Sequence, residues 1–345
     1  MKKALSPAAI FLPALAAGLL CSTALAQVGD AQAKAFAAAG RYDVRTVTDD
    51  WTDDVRDRDV PVKIYYPETA KGSFPVIIFS HGLGGSRDGY EYLGRHWASH
   101  GYVSVHVQHK GSDLDVWKGN PKPLQAMRRA AVNPMNSINR PADVKFAISR
   151  MEKLNAEDGP LKGRLDFSSV GAAGHSFGAF TTLAVAGEVF TLPLGREITV
   201  VDPRVKAAIP MSAPVPHRKE RLDTAFGSIK IPCMHMTGTE DDSPIGQTRK
   251  EDRRLPFDHS KGSDQYLIIF NGGDHMIFSG RGRLPGNRLK DARFQELIRA
   301  ASTAFWDAYL KGDAKAKAWL DGGGFEKVMG RDGTLEKKLK TAQPR

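Results

Sequence analysis

Residues 166–187 read DFSSVGAAGHSFGAFTTLAVAG. An apolar, β-prone run ends at Gly174, a small-residue stretch of helical length begins at Phe177, and between them stands Gly174-His175-Ser176-Phe177-Gly178. The pentapeptide G-x-S-x-G decides little alone in a chain with 34 glycines. Its setting decides more, because strand, sharp turn and helix in that order form a nucleophile elbow. Such a turn holds its serine in a strained backbone conformation, and side chains two residues to either side would collide. Gly174 and Gly178 remove both collisions. A glycine-lined strand-to-helix turn without chemistry is the rival reading, and the rest of the chain has to decide between them.

Upstream, VPVKIYYP (60–67) alternates as a strand does, and FPVIIFSHG (74–82) is a continuous apolar run closed by glycine, as expected of a strand buried on both faces. YVSVHVQHKGSD (102–113) is the next strand, reached through a helix-length crossover, RDGYEYLGRHWASHG (87–101), that stops at Gly101. RPADVKFAISRMEKLN (140–155) sets Val144, Ala147, Ile148, Met151 and Leu154 on one helical stripe, with its proline at an early position. Further strands are expected in RVKAAIPMS (204–212), IPCMHMTG (231–238) and QYLIIFNGG (265–273), and a last helix carries Phe294, Leu297, Ile298, Ala301 and Phe305 on one face. Strands alternating with helices predict an α/β fold: a mostly parallel central sheet covered by helices on both faces. Two long connections, about 111–139 and 243–263, interrupt the alternation, and long loops of this kind are more often functional than idle.

A serine hydroxyl needs a base oriented by an acid, and on such a sheet the chain order is Ser, Asp or Glu, His. His275 follows a strand end and a glycine pair in NGGDHMIF (271–278), where a base reaches back over the sheet. For the acid, TGTEDDSP (237–244) offers Asp241, three residues after Gly238, and its neighbour Asp242. The N–H of Phe177 is the natural first donor to an oxyanion. The second is expected from the loop SHGLGGSR (80–87), at the N–H of Leu83. The remaining histidines lie in charged stretches, on the crossover helix or within strands. His106 and His109, three apart on an extended strand, face opposite ways and do not suit one metal. No metal or cofactor is expected, and neither G-x-G-x-x-G nor G-K-[ST] is present for a nucleotide.

The first residues, MKKALSPAAIFLPALAAGLLCSTALAQ, carry Lys2 and Lys3, an apolar core and Ala24-Leu25-Ala26, the three parts of a secretory signal peptide. Cleavage is expected after Ala26, leaving residues 27–345 as one domain, periplasmic or secreted, with no integral membrane span. Cys21 falls in the leader, so Cys233 would be left without an intramolecular partner. The formal charge of +10 sits largely in HRKERL (217–222), RKEDRR (249–254) and GRGRLPGNRLKDAR (280–293). No zinc-spaced or aromatic-interleaved motif accompanies these runs, so they read as solvated surface rather than a nucleic-acid site.

At these residues the chain resembles the α/β-hydrolase superfamily. Within it the likeness is to the dienelactone-hydrolase-like and platelet-activating-factor-acetylhydrolase-like serine esterases, a branch related to bacterial cutinase-like polyesterases. RDVPVKIYYP, SHGLGGSR, GHSFGA, DPRVKAAIPMSAP, MTGTEDDSP and GGDHMIF occur in that family's order. The resemblance implies the α/β-hydrolase fold and a carboxylic-ester hydrolase, with Ser176 as nucleophile, His275 as base, Asp241 as its orienting acid, and Leu83 and Phe177 as the oxyanion hole. Dienelactone hydrolases proper use cysteine where this chain has Ser176. The acetylhydrolases place their acid after the strand matching VKAAIPMSAP, where this chain has Met211-Ser212-Ala213, so the likeness puts the acid one strand later, as in polyesterases. The C-terminal disulfide of those polyesterases has no counterpart here.

The expected substrate is a small-molecule or polymeric ester. The long segment 111–140 follows a strand's carboxyl end, the side on which such sheets bind ligands. There Trp117, Met127 and Met135 either line a substrate pocket or form the core of a surface flap. A serine peptidase, a lactonase and an inactive binding protein on the same fold are the alternatives.

Overall fold

The computed structural model describes residues 32, 34–69, 71–216, 218–280 and 285–340. The leader 1–26, His217, Arg281 and Arg283 lie outside the described residues.

Among the described residues, nine strands form one sheet in the order β1-β2-β4-β3-β5-β8-β9-β10-β11. They are β1 (Val44–Asp53), β2 (Arg58–Pro67), β3 (Phe74–Ser80), β4 (Val103–Val107), β5 (Leu165–His175), β8 (Val205–Met211), β9 (Cys233–Glu240), β10 (Gln265–Asp274) and β11 (Gly333–Lys338). β6 (Val189–Thr191) and β7 (Glu197–Thr199) make a separate small hairpin. The six central strands β4, β3, β5, β8, β9 and β10 are parallel; β1, β2 and β11 join them antiparallel at the edges.

Every residue of β3 is buried, and its alternation divides the core. Ile77 and Phe79 face Leu93 and Trp97 of α1 (Glu91–Ser99) and the apolar side of the long C-terminal helix Pro285–Leu310. Val76 and Ile78 face Val144, Ala147, Ile148 and Met151 of the opposite layer. Two covered faces explain why these strands read as continuous apolar runs. His106 and His109 do point to opposite layers: His106 stacks on Phe79, and His109 bonds Asp143.

Three local expectations are corrected. The segment 111–139 is not an open loop: it contains α2 (Pro123–Ala131) and the start of α3 (Pro134–Ala156). The helix therefore begins six residues earlier than its stripe suggested. Asn133 caps it by accepting the Met135 N–H, and Pro134 takes the first position, so Pro141 lies inside. An interior proline costs about 3 kcal/mol, and the buried stripe beyond it together with the buried side chains of Arg140 and Asp143 holds the helix through it. Finally, RKEDRR is not all solvated surface, because Arg253 is buried.

β3 leads outward to β4 on one side while β5 lies on its other side, so the strand order reverses between β3 and β5. That reversal opens a crevice at the carboxyl ends of the strands. The loop after β3 and the turn after β5 meet there.

Candidate active site

Ser176 joins β5 to α4 (Phe177–Ala186) with φ 57° and ψ −118°, a left-handed backbone that a side-chain-bearing residue adopts only under constraint. Its N–H donates to the Met211 carbonyl at 2.9 Å, which ties the turn to the end of β8. A Cβ added at Gly174 would stand 2.4 Å from the Gly178 carbonyl oxygen, and one at Gly178 would stand 1.9 Å from the Ser80 oxygen. Both are backbone atoms of packed elements, so the turn closes only with glycine at these two places.

The turn presents Ser176 Oγ to His275 Nε2 at 2.9 Å, and His275 Nδ1 meets Asp241 Oδ1 at 2.7 Å. Asp241 is 0 % exposed. Its other oxygen accepts from Ser212 Oγ at 2.5 Å and Thr237 Oγ1 at 2.8 Å. With Oδ2 occupied by two hydroxyls, Oδ1 is left to receive the Nδ1–H, and Nε2 is left as an acceptor for the serine proton. Asp242 is exposed and accepts the Lys250 N–H, at 3.0 Å. The two acidic neighbours that the sequence left open thus occupy different environments, and only Asp241 reaches the imidazole.

Leu83 lies in the tight loop after β3. Its neighbour Gly82 passes so close to the elbow that an added Cβ would lie 3.4 Å from Ser176 Cβ. Gly84 N–H donates to the Ser112 carbonyl at 2.8 Å and Gly85 bridges to Asp113, so this loop is laced to the segment after β4. Phe177 opens α4, where first-turn N–H groups have no intrahelical acceptor. Trp117 is 39 % exposed; its indole N–H donates to the Gly84 carbonyl at 2.8 Å, and Met127 packs on the same glycine. Both side chains therefore sit on the loop that carries Leu83. Met135 does not join them there: it is exposed on the first turn of α3.

Two neighbours went unread in the sequence. Arg253 donates through Nε to the Asp241 carbonyl at 3.1 Å and through Nη1 to the carbonyls of Ser212 and Ala213 at 2.8 and 2.9 Å. Its Nη2 lies 3.4 Å from Asp241 Oδ1. Burial holds the Arg253 pKa below the usual arginine range, with Asp241 opposing. Inside a run of charges this arginine carried no distinguishing pattern. Ser212, with φ 53°, stands where the likeness to acetylhydrolases would put an acid, and instead donates to Asp241. Among the described residues no three His, Cys, Asp or Glu side chains gather to hold a metal, and no helix is long and apolar enough to cross a membrane.

A sequence model of the family described as platelet-activating factor acetylhydrolase, isoform II, matches residues 39–115. The platelet-activating factor acetylhydrolase of Cavia porcellus is 30% identical over 299 residues, covering 75% of this chain and 63% of its own. The protein of the same name from Bos taurus is 25% identical over 164 residues, 36% of this chain and 37% of its own. The chain thus spans less than two thirds of the length of these relatives. The sheet order is that of an α/β-hydrolase fold, and over the matched residues the chain is similar to the platelet-activating factor acetylhydrolases.

Proposed function

We propose that the chain is an exported serine carboxylic-ester hydrolase that works through an acyl-enzyme on Ser176. The observation that carries this reading is the unbroken chain of hydrogen bonds from Ser176 Oγ through His275 to the buried Asp241, on a strained turn. In the first half-reaction Oγ bonds to the ester carbonyl carbon while its proton passes to His275 Nε2. The carbonyl oxygen becomes an oxyanion that accepts from the N–H groups of Leu83 and Phe177. Collapse breaks the bond to the leaving oxygen, which takes the Nε2 proton and departs as the alcohol. Water then repeats the sequence on the acyl-serine and releases the acid. Asp241 holds the imidazole in the tautomer that can accept, and its charge faces the imidazolium that forms.

The name of the Cavia porcellus relative supports an acetyl ester as substrate, and Trp117 and Met127 supply apolar surface beside the Leu83 loop for its acyl or alcohol part. Purified protein is expected to hydrolyse 4-nitrophenyl acetate or butyrate and to leave a peptide 4-nitroanilide untouched. Cleavage of the anilide in preference would favour the peptidase reading, and no turnover of either the binding-protein reading.

The leader pattern of residues 1–26 supports export to the periplasm or beyond. The N-terminus of protein recovered from a secretion-competent bacterial host is expected at Gln27, which mass spectrometry reads directly. An intact Met1 in the soluble cytoplasmic fraction would overturn it.

A further inference from the structure

Behind the proposed oxyanion hole lies a buried cation that the reaction scheme does not use. Arg140, on α3, is 0 % exposed. It donates through Nε to Thr181 Oγ1 at 2.9 Å, through Nη1 to Ser112 Oγ at 2.8 Å, and through Nη2 to the His81 carbonyl. Its Cζ stands 4.6 Å from the centre of the Phe177 ring. None of the three acceptors is a carboxylate. Asp143, one turn further along α3, is bonded instead to Arg56, Arg58 and His109. Burial pulls the Arg140 pKa down to about 9 against the opposing pull of Asp143, which leaves a cation at neutral pH.

Burying a cation on neutral acceptors is costly, and an apolar side chain would fill the same gap at lower cost, so packing alone does not account for it. The placement of its partners does. His81 is two residues before Leu83; Phe177 and Thr181 are the first and fifth residues of α4; Ser112 belongs to the segment whose carbonyl receives the Gly84 N–H. One planar fork therefore touches the loop that carries one proposed donor, the helix that carries the other, and the strut between that loop and its neighbour. The same loop is braced again at His81, whose Nδ1–H donates to the Gly82 carbonyl at 2.6 Å while Nε2 accepts the His109 N–H at 3.0 Å.

We infer that Arg140 is a positioning residue that fixes the Leu83 and Phe177 N–H groups relative to each other, an inference that rests on the ester-hydrolase reading above. Lysine keeps the charge but cannot hold three acceptors in one plane. The test takes Arg140→Lys and Thr181→Val. It measures kcat and KM on a neutral short-chain ester, and the affinity of a trifluoromethyl ketone, whose serine adduct carries an oxyanion, beside that of the matching alcohol, which cannot form one. For folded Arg140→Lys, kcat is expected to fall roughly 30- to 100-fold with KM within about threefold, because a misplaced oxyanion donor is felt in the transition state alone. The ketone should weaken by the same factor and the alcohol should not. Thr181→Val is expected to show the same split on a smaller scale, and it carries the test if Arg140→Lys does not fold. Folded variants with wild-type kcat, or a loss confined to KM, would overturn the inference. A wild-type protein that neither turns over the ester nor binds the ketone would instead bring down the ester-hydrolase reading itself.

Discussion

Ser176→Ala is expected to abolish labelling by a fluorophosphonate probe and to lower ester turnover by roughly 10⁵- to 10⁶-fold, leaving only the rate that an oxyanion hole and binding supply without a nucleophile. The substitution removes one oxygen atom. The Cβ stays, the N–H still reaches the Met211 carbonyl, and Gly174 and Gly178 still admit the turn, so the thermal midpoint should stay close to that of the wild type. No other serine of the described chain combines a positive φ with a hydroxyl on an imidazole nitrogen opposite a carboxylate: Ser212 has the backbone but gives its hydroxyl to Asp241. Active-site peptide mapping after labelling is the direct measurement, and a labelled Ser176→Ala variant would remove the nucleophile from this turn.

Asp241→Asn is expected to cut turnover by about 10⁴-fold, while Asp242→Asn stays near wild type. Two hydroxyls, from Ser212 and Thr237, donate to one side of the Asp241 carboxylate. An asparagine will therefore turn its carbonyl oxygen toward them and its NH2 toward His275. The imidazole then has to accept at Nδ1 and carry its proton on Nε2, where it points at Ser176 Oγ and can no longer take that hydroxyl's proton. At Asp242 an amide oxygen can accept the Lys250 N–H as the carboxylate does, in an exposed loop where little else depends on it. Steady-state kinetics on both variants decides the matter, and the reverse ranking would move the acid to Asp242.

The two strands of the main sheet that escaped the reading of the sequence share a physical cause. β1, VRTVTDDWTD, buries only Trp51 and Asp53 of its ten residues, and β11, GTLEKK, buries only Gly333. Both lie at the edges of the sheet. An edge strand is held by the backbone of one neighbour and is half in water, so no apolar pattern need mark it. β3, β5, β8 and β9 lie inside the parallel run with helices above and below, and their apolar runs announced them. The first turns of α3 were hidden for the opposite reason, because exposed Met135 and Ile138 break the stripe there and the buried face begins only later.

Local rules were sufficient wherever a residue's role depends on its own neighbours in the chain. The fold class follows from the periodicity of burial, and the turn at Ser176 follows from two glycines that spare backbone collisions at a strand-to-helix junction. Proximity across the sheet depends on nothing local. His275 and Ser176 are 99 residues apart, and Arg140 and His81 are 59 apart; strand order brings each pair together. The choice of Asp241 over Asp242 belongs to the same class. Adjacent carboxylates are chemically alike in sequence, and what separates them is that one is turned inward, onto two hydroxyls and an imidazole, while the other is turned into water.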